Sequence, residues 1–386
     1  MRIPHPHDFS SRLRSPAVAA RVGAWLGACF LVCFGTGLVS HWAQLPSPAI
    51  GFPTSPSWGY RATQGLHVVT GCAAVPLLLV KLWTVYPRLF ERIDLRLDRR
   101  TVLACIERAS IGVLVASAIF QLATGLANAA QWYPWREFSF RTAHYAIAWV
   151  AIGALVLHVA VKLPLIRAAL GSDVDSGALD RPSSVTAGPV SRRALLRGTW
   201  AAAGVAVLAT AGGSVPWLRS VSVFAARSGE GPGGVPINKS AAAAGVLDAA
   251  TDPAWALEVQ VDGSVSARLS LADLRALPQH TVELPIACVE GWSAQGHWSG
   301  VRVRDVLAAA GATTGHDVAV TSLQERGPFT RTLLPASFAD DDRSLLALDL
   351  AGEPLDLDHG YPCRVIAPNR PGVLQTKWVS SLEVTT

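Results

Sequence analysis

Cys288 stands between a strand-like run, Ile286-Ala287, and a Gly/Trp-rich turn, Val289-Glu290-Gly291-Trp292-Ser293, with Trp298-Ser299-Gly300-Val301 beyond it. A soft thiolate held in place suits a high-valent transition metal whose other positions stay open to oxo groups and substrate, so one cysteine suffices. Taken without its flanks, the same residue is a small buried hydrophobe or half of a disulfide with Cys363. The second set of candidates is His67, His144, His158 and His41, in or at the end of long apolar stretches. There an imidazole is costly unless engaged. His67 and His144 fall at similar depth near one face, where two helices can clamp one haem between two imidazoles. His158 lies about four turns further along the helix of His144, roughly 21 Å at 1.5 Å per residue, on nearly the same face. That spacing fits two stacked haems. His41 ends the first apolar stretch level with His67 and His144, to ligate haem or to lie near a quinone. Each histidine alone also fits a hydrogen-bonded structural residue.

These residues need elements to carry them. The chain has 386 residues, 50% of them hydrophobic, and its mean hydropathy is +0.32; part of it belongs in lipid. Apolar spans of about 20 residues are predicted from Ala17 to Val39, Thr63 to Val85, Val102 to Ala130, Thr142 to Leu163 and Thr199 to Trp217. Arginines crowd the loops between the second and third spans and between the fourth and fifth, which makes those loops cytoplasmic, while the other two loops are rich in Trp, Tyr and Pro. An odd number of spans then leaves the C-terminal domain outside. These loops largely account for the net charge of +5, and no nucleic-acid partner is implied. Cys29, Cys33, Cys72 and Cys105 fall in predicted helices as packing residues. Ser191-Arg192-Arg193-Ala194-Leu195-Leu196-Arg197 precedes the fifth span in the arrangement of a twin-arginine export signal, or as two arginines obeying the positive-inside rule.

The Cys288 stretch, with Asp358-His359-Gly360-Tyr361-Pro362-Cys363-Arg364 through Lys377-Trp378, resembles the signature of the sulfite-oxidase-like molybdopterin enzymes over residues 236 to 386. The resemblance implies that Cys288 ligates molybdenum. It also implies that His359, Arg364, Gln375, Thr376 and Lys377 meet the pterin's phosphate-bearing end, with Asn238 and Ser322 as further contacts. His297, Arg326 and Arg370 are candidates for the substrate approach by sequence proximity. The helical half resembles the membrane cytochrome b subunits of formate dehydrogenase and hydrogenase type. There the inner haem's second ligand comes from the start of the first helix, where this chain has His5 and His7. One haem b is expected, and a second depends on a partner for His158. Molybdopterin is inserted in the cytoplasm in the enzymes this resembles, and twin-arginine transport carries folded cargo.

The expected architecture is a multi-domain protein with an all-α transmembrane bundle of four helices plus a fifth anchor helix, followed by an α+β molybdopterin domain. The expected division is a cytochrome b-like domain at 1–170, a cytoplasmic linker at 171–197, the anchor at 198–218, a linker at 219–235 and the oxidoreductase domain at 236–386. Within the last, Leu257 to Val261 reads as a strand before an Asp262-Gly263 turn, Ser270-Leu271-Ala272-Asp273 as a capping box, and Val303 to Ala310 as a helix. The expected protein is a multi-pass cell-membrane oxidoreductase, N-terminus cytoplasmic and C-terminal domain extracytoplasmic. It passes electrons between membrane quinone, haem b and the molybdenum centre and reduces an S-oxide or N-oxide, similar in plan to the periplasmic methionine-sulfoxide reductase system. The alternatives are oxidation of sulfite by the same centre, or a haem-only electron-transfer protein with a degenerate C-terminal binding module.

Overall fold

The computed structural model describes residues 6–90, 99–133, 139–225 and 231–384. Five helices are long and apolar enough to cross a membrane: α1 Pro16–Ala43, α2 Gly59–Val85, α3 Arg99–Ala129, α4 Phe140–Gly171 and α5 Arg192–Thr210. The first, second and fourth cover their predicted spans, the third stops one residue short of Ala130, and the fifth ends at Thr210, well before the predicted Trp217. The fifth begins earlier, because Ser191 caps its N-terminus by accepting from the Ala194 N–H, which draws the arginine pair into the first turn. Large apolar side chains on these helices, among them Leu31, Leu79, Ile106, Val113 and Val156, are exposed. A helix apolar all round is one that lipid covers.

The chain divides into two compact units. The helical unit comprises Met1–Gly37, Leu66–Ala211 and Val221–Phe224. Val18, Val22, Leu77 and Val174 form a packed cluster in it. Arg192 is buried there, donating to the carbonyls of Arg12, Val174 and Ser176 and to Asp180 at 2.6 Å; Arg193 pairs with Asp173 and Asp175. Arg192 and Arg193 therefore fasten the loop between α4 and α5.

The C-terminal unit gathers Ala225–Thr386 together with Leu38–Gly65 and Gly212–Ser220, two stretches far away in sequence. It contains two sheets. The first runs β2 (Ser264–Ser270), β1 (Ala256–Val261), β10 (Val379–Val384), β5 (Val318–Ser322) and β6 (Arg331–Leu334). Its β1–β10 pair is parallel and the other pairs are antiparallel. The second runs β3 (His280–Ala287), β4 (Ser293–Arg302), β7 (Leu345–Leu350) and β8 (Glu353–Pro354), with β9 (Arg364–Ile366) also on β7. Alternation puts Leu257 and Val259 of β1 inside with Leu346, Leu348 and Leu382. Leu284, Ile286, Trp292, Trp298 and Leu345 form a second core that includes Cys288. The expected α+β class is present, as are the Ser270/Asp273 capping box on a helix at Leu271–Ala276 and the helix at Val303–Ala309.

Leu346 is fully buried in the larger core. Leu346→Ala is expected to cost about 2–5 kcal/mol, read as a lower melting temperature of the detergent-solubilised protein.

Candidate functional site

Cys288 follows β3, and the chain turns back at once into β4 with Ala287 opposite Ser293. The turn is closed by the Cys288 N–H donating to the Trp292 carbonyl at 2.9 Å and the Gly291 N–H donating to the Cys288 carbonyl at 3.1 Å. Trp292 Nε1 donates to Glu290 at 3.0 Å. A second loop lies on this one: Pro371 pairs with Ala287, and a Cβ on Gly372 would sit 2.8 Å from the Ala287 carbonyl oxygen and 3.4 Å from the Cys288 Cα. Only a residue without a side chain fits there. Cys288 is thus held at a crowded junction of two loops. Among the described residues no cysteine is in a disulfide. Cys363 is fully buried and donates weakly to the Val379 carbonyl; burial pushes its thiol up, which makes it a core residue rather than a nucleophile or ligand.

Beside the cysteine the chain buries positive charge. Arg364, at the start of β9, donates to the carbonyls of His359 and Gln375 and stacks 5.0 Å over Trp298. Its Nε is buried without a partner. Lys377 donates to Asn238 Oδ1 at 3.1 Å and to the carbonyls of Lys239 and Asp358, and it interacts electrostatically with Cys288. Ser322 secures the same segment by donating to the Lys377 carbonyl at 2.8 Å. His359 Nε2 donates to the Pro232 carbonyl. Among the described residues neither Arg364 nor Lys377 has a carboxylate in ion-pair range. Burial lowers the Arg364 guanidinium to about 9, and burial with Arg364 nearby lowers Lys377 to about 7 and His359 to about 4. An unpartnered guanidinium N–H among destabilised cations suits a buried anion such as a phosphate. The residues present fit the phosphate-bearing end of a molybdopterin.

The remaining sequence candidates have the following partners within the fold. The Gln375 amide is spent on its own loop, donating to the Ala367 and Arg370 carbonyls and accepting from the Ala367 N–H. The Thr376 hydroxyl pairs with Thr332. Arg370 is buried, donating to the Leu333 and Leu374 carbonyls. Arg326 lies exposed after β5, and His297 is exposed on β4 opposite Glu283, about 13 Å along the strand from the cysteine turn at 3.3 Å per residue. Sequence proximity misses two basic residues that tertiary structure brings to this turn. Arg219 donates to the Ser293 carbonyl at 3.1 Å, and Arg61 donates to Gln295 at 3.0 Å. The Arg219 Nε and Ser293 Oγ are both buried without partners.

In the helical unit, the rings of His67 on α2 and His144 on α4 stand 6.3 Å apart between centroids. His67 Nδ1 contacts the Cys33 carbonyl and the Thr36 hydroxyl, each at 3.0 Å, and His144 Nδ1 contacts the Thr124 hydroxyl at 2.9 Å. Helices α1 and α3 therefore orient both rings through Nδ1 and leave Nε2 for another partner. With metal–nitrogen bonds of ~2 Å, two imidazoles on one metal place their centroids about 6 Å apart. Gly37 and Gly125 lie against the two rings, giving a flat group room. His158 interacts electrostatically with Lys81, Lys162, Glu107 and Arg88, and among the described residues no second imidazole stands with it. His5 and the side chain of His7 lie outside the described residues. His41 belongs to the stretch that counts with the C-terminal unit.

Residues 244–386 match the family described as oxidoreductase molybdopterin binding domain. With the cysteine turn and the buried cations, this makes the C-terminal part of the chain a sulfite-oxidase-like molybdopterin domain. The chain is 32% identical over 118 residues to the uncharacterized oxidoreductase YuiH of Bacillus subtilis, covering 30% of this chain and 58% of that protein. It is 31% identical over 134 residues to the putative protein-methionine-sulfoxide reductase subunit YedZ1 of Azospira oryzae, covering 34% and 50%. It is 31% identical over 153 residues to mitochondrial sulfite oxidase of Rattus norvegicus, covering 33% and 28%. The chain thus spans between about a quarter and three-fifths of the length of these relatives.

Lys377 supplies a pH test. Its folded value of about 7 lies below the ordinary 10.5, so between those values the unfolded chain binds more protons and stability rises with pH. The melting temperature of the cofactor-free full-length protein is expected to climb from pH 7 to pH 9. In the loaded protein a bound phosphate keeps Lys377 charged, and that slope is expected to flatten.

Proposed function

We propose that this chain is a membrane-anchored molybdopterin oxidoreductase that carries electrons from membrane quinol through one haem b to a molybdenum centre on Cys288, where an S-oxide or N-oxide is reduced. The observation that carries the proposal is the Cys288 turn, locked beneath the Pro371-Gly372 loop and next to the buried cations Lys377 and Arg364. When bound, molybdenum supplies two-electron oxygen-atom chemistry. The chain's part is to hold the thiolate at Cys288 and the pterin's anionic end at Arg364, Lys377 and His359, with Asn238 and Ser322 keeping Lys377 in place. Gln375 and Thr376 act behind these as supports of the loop.

His67 and His144 would hold the haem, each turned by its Nδ1 hydrogen bond. The pairing favours one haem over two, because among the described residues the charged side chains of Lys81, Lys162, Glu107 and Arg88, rather than an imidazole, surround His158. A cavity of about 240 Å³ in the helical unit, lined by Arg21, Trp25, Leu77, Thr199 and Trp200 among others, is a candidate seat for the quinone ring. The proposed location is the cell membrane with the N-terminus cytoplasmic and the C-terminal domain outside, exported folded through the Arg192-Arg193 signal. The likeness to a methionine-sulfoxide reductase subunit supports reduction.

Sulfite oxidation is the second reading, and one observation favours it. The turn that carries Cys288 is flanked by Arg219 and Arg61, cations that an anionic substrate would use.

Metal analysis of the full-length protein by plasma mass spectrometry, with a visible spectrum for haem, tests the scheme. Wild type is expected to hold near-stoichiometric molybdenum and b-type bands. Cys288→Ala should abolish sulfoxide reduction while retaining haem. His144→Ala should lose the haem bands while keeping molybdenum and reduction driven by a soluble dye. Haem without molybdenum in cells that make the cofactor would leave an electron-transfer protein only.

A further inference from the structure

The family match begins at residue 244, yet the C-terminal unit draws on a segment nearly two hundred residues earlier. Tyr60, in the first turn of α2, is 1% exposed. Its N–H donates to Asn369 Oδ1 at 2.5 Å, and Asn369 Nδ2 donates to the Pro53 carbonyl at 2.7 Å. Just past Arg370, Pro371 and Gly372 are the residues that lie on Ala287 and Cys288. The loop that roofs the cysteine is therefore also the loop that anchors Tyr60, and the phenol and the Cys288 thiol interact electrostatically.

The phenol has a built environment. Its oxygen accepts from Gln44 Nε2 at 2.6 Å and from Gln64 Nε2 at 2.9 Å, while Gln64 also donates to Ser40. All four side chains are buried. Buried polar networks are costly unless every member is satisfied, and an apolar group of the same shape would serve packing equally well. With two amide donors on its oxygen, the capacity left to the phenol is its O–H as a donor. Ser40 is its third hydrogen-bonding partner, so the hydrogen must turn from Ser40 to reach an oxygen presented at the cysteine. Every member of the network is neutral, which suits a dipolar oxide oxygen better than an anion.

We infer that Tyr60, supplied by the connection between α1 and α2, is a substrate-binding residue that donates a hydrogen bond to the oxide oxygen of a neutral S-oxide or N-oxide held at Cys288. This rests on the reductase reading above. It makes the α1–α2 connection part of the active site and not only a link between membrane helices.

The test is binding without turnover. Full-length oxidised protein in detergent is titrated calorimetrically with dimethyl sulfoxide in the absence of any electron donor, with molybdenum, haem and melting temperature recorded for each variant. Tyr60→Phe is expected to bind roughly 10-fold more weakly, the worth of one hydrogen bond, with unchanged cofactor content. Gln44→Leu, which disturbs the same buried network but keeps the hydroxyl, should lose less than about 3-fold. Asn369→Ala unties Tyr60 from the roof loop and should give an intermediate loss; it carries the test should Tyr60→Phe not fold. Unchanged affinity in Tyr60→Phe, or in Asn369→Ala where that variant carries the test, overturns the inference, as do equal losses in Tyr60→Phe and Gln44→Leu. If wild type binds sulfite and no sulfoxide, the reductase reading fails separately. The same variants titrated with sulfite then decide, a 10-fold loss keeping Tyr60 at the substrate and no loss removing it.

Discussion

Burying a guanidinium or an ammonium without a carboxylate costs several kcal/mol, and among the described residues the C-terminal domain does so at Arg364, Arg370 and Lys377 within a short stretch of chain. Arg370 is discharged onto carbonyls and serves the fold. Arg364 and Lys377 are only partly satisfied, since one guanidinium N–H has no acceptor and the ammonium is held by an amide and two carbonyls. That deficit shapes what surrounds them. Trp298 lies under Arg364 and Trp378 under Lys377, and Ser322, Asn238 and the Gln375 loop fix the backbone on either side. An anion that bound these cations only in the folded state would stabilise that state by mass action, which is how the proposed cofactor would couple loading to folding.

The same logic of fixing one group by several elements recurs in the helical unit. Neither His67 nor His144 is positioned by its own helix alone. Thr36 and Cys33 of α1 orient the first ring and Thr124 of α3 the second, so all four helices converge on one pair of imidazoles. Hydrogen bonds at Nδ1 fix the tautomer and orientation of both rings, which is what the proposed haem site would require of its ligands.

Much of this was legible in the residues. The five apolar stretches forecast the helices because length and hydropathy alone decide whether a segment suits lipid. The Cys288 turn and the Arg364–Lys377 block pointed to a molybdopterin domain through their resemblance to that family's signature, because the residues that carry such a resemblance lie close together in the chain. His67 and His144 could be paired by depth, since helix rise is fixed. The hydrogen bonds of the Gln375 side chain to its own loop were not legible, because side-chain direction is not encoded in spacing.

What the sequence by itself determined, then, is the kind of chemistry and the class of each element, through hydropathy, helical period and a few chemically demanding residues. Tertiary structure alone decided who stands at the cysteine. Tyr60, Arg61 and Arg219 are remote from Cys288 in the chain and carry no local motif. They join the C-terminal unit because the 38–65 and 212–220 stretches fold with it, held by hydrogen bonds such as Tyr60 to Asn369, Leu333 to Pro46 and Arg343 to Thr54. Contacts of that range are paid for by burial spread over many residues, so no single position in the sequence announces them.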